Sequence, residues 1–170
     1  MLVLEQISPK NALTYKRIRL QALQDSPLAF GSTYAKESQI SDADWFKRAA
    51  DWSSDRSIGY LAIGRGAPCG IIAAFLDQDD RSKVHLVSMW VSPSHRRGGI
   101  GRTLVEAIQA WARRQGANLL QLMVTNSNHA AIEFYKRNGF TMTGNTEPYP
   151  NDPALFEYEM SQPLEPNAES

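Results

Sequence analysis

Arg96-Arg-Gly-Gly-Ile-Gly101 lies between a strand-like run and a helix-like run, and its reading as a strand-to-helix turn decides the fold. Upstream, Val84-His-Leu-Val-Ser-Met-Trp-Val91 is short, β-prone and closed by Ser92-Pro93. Downstream, Leu104, Ile108, Trp111 and Gln115 recur at helical spacing, with Val105 and Ala112 widening the apolar stripe. A glycine-rich turn of this kind leaves the first helical N–H groups unpaired and converging, and the missing Cβ atoms let an anion approach the backbone. The helix macrodipole adds partial positive charge, and Arg96, Arg97 and Arg102 add full charges. Arg96, Arg97, Gly98, Gly99, Ile100, Gly101 and Arg102 are therefore expected to hold a phosphate or pyrophosphate.

Two familiar phosphate motifs do not fit. A Rossmann fingerprint would need glycine where Gly99-Ile-Gly101-Arg-Thr-Leu104 has leucine, and no P-loop string occurs. What fits is Arg96-x-x-Gly99-x-Gly101. About thirty residues on, Leu119-Leu-Gln-Leu-Met-Val-Thr125 reads as a buried strand. Asn126-Ser-Asn128 then caps a helix carrying Ala131, Phe134 and Tyr135, stopped by Gly139 before Phe140. Together, Arg96-x-x-Gly99-x-Gly101 and Val124-Thr-Asn-Ser-Asn128 through Phe134-Tyr135 to Gly139-Phe140 resemble the two-part signature of the GCN5-related N-acetyltransferases (GNAT). The resemblance is strong over residues 83–143 and weak before them.

The resemblance implies acetyl-CoA as cosubstrate, no metal, and acyl transfer from a thioester to an amine. It implies a mixed sheet whose parallel strands, here around 84–91 and 119–125, splay apart at their C-terminal ends. The pantetheine arm would enter that gap and pair with the backbone of Met89, Trp90 and Val91, while Asn128 would meet its amides. Asn128 also suits plain helix capping, and the two roles coexist. Tyr135 matches the tyrosine that protonates the departing thiolate in many members; packing is its other role. His85 falls where histone-modifying relatives place a catalytic glutamate, and imidazole is a competent base near neutral pH. An ordinary half-buried sheet residue, with deprotonation through a water chain, is the alternative for that position.

Composition bounds the rest. At 170 residues the chain can bury about 70% of its unfolded surface, enough for one substantial core. Formal charge is zero, so nothing pulls the whole molecule toward nucleic acid or an anionic membrane. Residues 81–115 nevertheless hold seven Lys/Arg against one acid, and residues 145–170 hold six acids and no base. The basic excess brackets the expected phosphate cup. Cys69 is the only cysteine, which excludes a disulfide framework, and His85, His95 and His129 lack helical metal-site spacing. No apolar run reaches the ~18 residues of a membrane span, and Met1-Leu-Val-Leu-Glu-Gln-Ile7 reads as a strand rather than a signal peptide. A soluble, cytoplasmic protein is expected.

Along the remaining chain, Leu2–Ile7 is a first strand. Ser8-Pro9 opens a helix with Leu13, Leu20 and Leu23 on one side. A loop at 25–31 precedes a second helix from Ser41 to Asp51. The runs 58–63 and 69–76 form a hairpin, and 140–143 with 155–160 close the sheet. The fold class is α/β: a single GNAT-like domain over residues 1–161, a mixed β-sheet flanked by helices, with 162–170 as a flexible tail. The strand 84–91, its following helix and strand 119–125 make a right-handed crossover, so the two strands are parallel neighbours.

The acceptor amine would be met by segments 25–57 and 144–154 of the resembling fold. Phe30, Tyr34, Trp45, Phe46, Trp52 and Tyr149, with Asp42, Asp44, Asp51 and Glu147, suit a cationic amine there, although core packing also accounts for such aromatics. The expected partner is a small-molecule or protein amine, with no nucleic acid and no membrane; a homodimer is left open. A non-catalytic acyl-CoA-binding or sensing module is the rival reading.

Overall fold

Strand β4 (Lys83–Val91) sorts the molecule into layers, because its side chains alternate between the two faces of the sheet and a bulge near its end shifts the phase. Val84 and Leu86 join one core with Leu104, Ile108 and Trp111 of helix α4 (Ile100–Arg114) and Ile132 of α5 (His129–Arg137). On the opposite face, Trp90 joins a second core with Tyr15, Ile18 and Leu23 of α1 (Ala12–Asp25) and Trp45 of α3 (Asp42–Asp51). A computed structural model describes residues 1–165 in this arrangement.

The remaining strands are β1 (Leu2–Gln6), β2 (Ser57–Gly64), β3 (Ala67–Leu76), β5 (Leu119–Thr125), β6 (Thr141–Pro148) and β7 (Phe156–Pro163). They form one seven-stranded sheet in the order β1-β2-β3-β4-β5-β7-β6. Only β4 and β5 are parallel, as the crossover rule requires. Their pairing is confined to Lys83↔Leu119, Val84↔Leu120 and His85↔Gln121. Beyond those rungs the two strands separate, so the expected splay is present.

Facing β3, the same strand carries a bulge. Ile71 pairs with Trp90 and Ala73 with Val87, which leaves Ser88 and Met89 together opposite Ile72. Ser88 takes φ 60°, in the left-handed region, without being glycine.

Several expectations need correction. Helix α1 buries Ala12, Tyr15, Ile18, Ala22 and Leu23, while Leu13 is exposed; the stripe runs through small and aromatic residues rather than the leucines alone. A short helix α2 (Tyr34–Glu37), capped by Thr33, stands between the expected loop at 25–31 and the helix that follows it. Strand β6 extends to Pro148, because the bulge between Met142 and Thr146 lets its pairing with β7 resume. Strand β7 continues through Pro163 and Leu164 is buried, so the ordered fold runs past the tail boundary expected at 162. Residues 166–170 of that tail lie outside the described residues. Among the described residues no helix is long and apolar enough to cross a membrane.

Candidate active site

The loop between β4 and α4 builds its cup from backbone. Arg97 at φ 71° and Gly99 at φ 82° both turn left-handed, and Gly99 occupies the N-cap of α4 without a capping side chain. Among the described residues, the N–H groups of residues 97–102 have no protein acceptor. Such a run of successive N–H groups at a helix start is an anion nest. A Cβ on Gly99 would meet nothing within 4 Å, so this glycine serves the left-handed turn and an open cup. Gly101 serves a different end: a Cβ there would stand 3.0 Å from the Phe134 ring and 3.1 Å from the Met89 methyl. Its glycine lets α4, α5 and β4 converge around the gap.

That gap is a cleft of about 830 Å³. Met89, Trp90, Val91, Arg96, Arg97, Gly99, Gly101, Arg102, Asn128 and Tyr135 all line it. Gly98 and Ile100 do not; Ile100 is buried in the α4-side core. Arg137 and His95 also line the cleft, and Glu106 is the acid among its lining residues. The electrostatics therefore favour an anion.

The three loop arginines are not equivalent. Arg96 donates through Nη2 to Asp25 Oδ2 at 2.7 Å and through Nε to the Val91 carbonyl at 2.9 Å. The Trp90 indole N–H reaches the same carboxylate oxygen at 2.9 Å. Burial alone would raise the Asp25 carboxyl; hydrogen bonds from Trp90, Ser26 and Arg96 outweigh it and hold the group below the usual carboxylate range. Arg96 thus ties the loop to the end of α1. Arg102 pairs with Glu106 at 2.8 Å one turn along the helix. Sequence reading missed Asp25 because no motif marks a contact across 71 positions.

Asn128 caps α5, its Oδ1 accepting from the Ala131 N–H at 3.2 Å, which leaves its amide donors to the cleft it lines. Tyr135 stands seven residues on, on the same side of the helix. Its ring packs edge-on against Phe134 and Phe140, with centroids 5.4 and 5.6 Å away, so its position is fixed. Burial pushes its hydroxyl well above the ordinary tyrosine range, keeping the proton on.

The opposite face of β4 carries His85, between Val84 and Leu86 and away from α4. Nε2 of His85 lies 2.6 Å from Asp77 Oδ1, and the imidazole stacks on Phe75 at 5.0 Å. Its rung with Gln121 is the last closed one before the splay. The structure therefore separates His85 from Tyr135 by the sheet itself.

The segments 25–57 and 144–154 touch each other. The Tyr149 hydroxyl donates to the Phe30 carbonyl at 2.5 Å, and Asn151 Nδ2 reaches the same oxygen at 3.2 Å. Several of the aromatic residues in these segments serve packing, the other role open to them. Tyr149, Phe30 and Trp45 are buried. The Phe30 ring lies under the Arg19 guanidinium at 4.9 Å and the Trp45 ring under that of Arg48 at 5.1 Å. Phe30 and Trp45 thus face the chain's own cations, whereas Tyr34 and Phe46 remain exposed.

The profile of the Acetyltransferase (GNAT) family matches residues 20–140. N-acetyltransferase family 8 member 3 of Mus musculus is 32% identical over 97 residues, covering 55% of this chain and 43% of that protein. Streptothricin acetyltransferase of Streptomyces lavendulae is 35% identical over 85 residues, covering 50% of this chain and 45% of that protein. The alignments thus span less than half the length of these curated relatives. Among solved structures, the PaiA N-acetyltransferase from Thermoplasma acidophilum in complex with coenzyme A matches at a TM-score of 0.77. That match covers 96% of this chain and 99% of the other at 16% identity, which speaks to the fold. With the family profile matched from the middle of α1 to the end of α5, and with that fold, the chain belongs to the GNAT acetyltransferase family.

Proposed function

We propose that the protein is an N-acetyltransferase that moves an acetyl group from acetyl-CoA to a primary amine by direct attack on the thioester. The observation that carries this reading is the opening between β4 and β5 beyond His85↔Gln121, with the unpaired N–H groups of residues 97–102 at its mouth. The fit to acetyl-CoA is chemical: nest and arginines for pyrophosphate, an unpaired strand edge and Asn128 for amide groups, a buried tyrosine for sulfur. One relative is named as a streptothricin acetyltransferase.

Bound acetyl-CoA supplies an activated acyl group. The N–H groups of residues 97–102, with Arg97 and Arg102, hold its diphosphate; Arg96, tied to Asp25, keeps the loop in place. The β5-facing edge of β4 around Met89–Val91 aligns the pantetheine, and Asn128 donates to it. An alkylammonium titrates near 10.4 in water and must lose a proton before attack. His85, with Asp77 orienting its ring, is the candidate acceptor of that proton, passed through water from the gap. As the C–N bond forms and the C–S bond breaks, the Tyr135 hydroxyl gives its proton to the thiolate. No step needs a metal, and a cytoplasmic setting is part of the same proposal.

The test is release of free CoA thiol from acetyl-CoA on addition of primary amines. Amine-dependent release is expected. Tight binding of acetyl-CoA with no release for any amine would favour the non-catalytic binding module instead.

A further inference from the structure

A second pocket lies on the face of the sheet away from α4, between α1, α3 and the β4 bulge. It measures about 290 Å³ and is lined by Tyr15, Arg19, Arg48, Asp51, Trp52 and Ser88. Behind it sits Glu37, only 2% exposed. Glu37 accepts from Arg19 through Nε and Nη2 and from Arg48 through Nη1, each at 3.0 Å. One buried carboxylate serves two guanidinium groups, so the trio carries a surplus positive charge.

The hydrogen-bond inventory says what this pocket offers. Arg19 gives its remaining bond, from Nη1, to the Ser88 hydroxyl at 3.2 Å. Arg48 gives only Nη1 to the protein; its Nε and Nη2 have no acceptor among the described residues. The plane of Arg48 is nevertheless fixed, by Glu37 on one edge and by the Trp45 ring beneath it. The Tyr15 oxygen accepts from the Trp52 indole N–H at 3.2 Å, which leaves the Tyr15 proton to be donated elsewhere. The Ser88 oxygen accepts from Arg19, and its proton is likewise uncommitted among the described residues. The lining thus presents an oriented guanidinium edge and two hydroxyl donors. The sole carboxylate on it, Asp51, is an exposed residue at the end of α3. Donors arranged around an oriented guanidinium are a carboxylate receptor, and their orientation is set before binding.

Location connects the pocket to the chemistry. Ser88 is the bulge residue of β4, immediately before Met89 at the cleft, so a ligand against Ser88 adjoins the opening through which the thioester is approached. We propose that this pocket receives the carboxylate of the acceptor, and that the acceptor is a small molecule of the amino-acid class carrying an amine and a carboxylate together. The volume suits a ligand of that size. This rests on the N-acetyltransferase reading and narrows it, replacing a purely cationic acceptor with a zwitterionic one.

The test measures thiol release at saturating acetyl-CoA for standard amino acids, each beside its methyl ester and its decarboxylated amine. The carboxylate-bearing member of a set should be favoured by about 10- to 100-fold in kcat/KM, the range of a charge-assisted contact. Arg48→Met should abolish that preference mainly through KM. Tyr15→Phe, which keeps the ring against Trp45, should reduce it by about 3- to 10-fold and decides the matter if Arg48→Met does not fold. Equal or better use of the esters and decarboxylated amines overturns the proposal, as does failure to use any carboxylate-bearing amine. Calorimetry with acetyl-CoA on the same preparation separates the two readings: a binder without carboxylate preference refutes only this pocket, whereas no acetyl-CoA binding refutes the acetyltransferase.

Discussion

Arg19, in α1, donates a hydrogen bond of 3.2 Å to the hydroxyl of Ser88, the residue of β4 that stands at φ 60°. A helix on one face of the sheet thereby grips the bulge of the strand whose next residue, Met89, lines the cleft on the other. A non-glycine residue in the left-handed region costs on the order of 1–2 kcal/mol, and the surrounding contacts must maintain it. Arg19→Met should weaken acetyl-CoA binding by roughly tenfold. Adding Ser88→Gly should recover most of the loss, because glycine takes the same φ without strain. Calorimetry checks both; absence of rescue would mean that Arg19 acts only through general stability.

The nucleotide loop should distinguish its two kinds of glycine. Gly101→Glu places bulk where Phe134 and Met89 already stand at 3.0 and 3.1 Å, and adds negative charge beside the nest. Acetyl-CoA binding should be lost in a variant whose circular dichroism is native. Gly99→Ala meets open space, so its cost is the strain at φ 82°, on the order of 1–2 kcal/mol. Unchanged affinity in a folded Gly101→Glu protein would remove the diphosphate from this loop.

Tyr135→Phe keeps the edge-on packing with Phe134 and Phe140 and removes only the hydroxyl. Acetyl-CoA affinity should hardly change while kcat falls by about 10- to 10³-fold. Full turnover under conditions where chemistry limits the rate would make Tyr135 a packing residue.

His85→Gln tests the base from the other face of the sheet. Turnover should fall by roughly 10²-fold, and the rise of rate with pH expected of the parent should flatten. Asp77→Asn should act in the same direction but less, since it disturbs the orientation of the imidazole rather than its presence. An unaltered pH profile in His85→Gln would return deprotonation to water.

Glu37 gives a stability prediction with a definite sign. Burial alone would raise its carboxyl, but the hydrogen bond and charge of Arg19, then the charge of Arg48, prevail and hold it below the ordinary range. A depressed folded pKa contributes stability above the unfolded value of about 4.3 and loses it as pH falls through the folded one. Glu37→Gln should therefore lower stability near neutral pH, by about 3–5 kcal/mol for a broken buried pair, and reduce its acid dependence. Denaturant melts between pH 3 and pH 7, compared with the parent, read both effects.

The part of the fold that was readable from sequence is the part where local signals agree. Asn128 caps its helix, Gly99 turns the loop and β5 runs from Leu119 to Thr125, because cap, turn and apolar period each act within a few residues. The α1 stripe was misread because Ala12, Ala22 and Tyr15 are poorer hydrophobic markers than Leu13, which faces solvent. No glycine or asparagine marks the bulge at Ser88, and its hydrogen-bond partner Arg19 lies 69 positions away. Glu37 and Arg48, like Asp25 and Arg96, meet only after the helices have packed on the sheet. The loop-and-cap side of the cleft is local and legible, whereas the Arg19–Glu37–Arg48 cluster is tertiary.

Acetyl transfer to an amine is measured most directly with acetyl-CoA carrying an isotopically labelled acetyl group and a primary-amine acceptor. Mass spectrometry of the amine and thiol titration of the same reaction should show one labelled acetyl on the amine for each CoA released. Thiol release without labelled amine, or bound acetyl-CoA that is never consumed, would contradict the account.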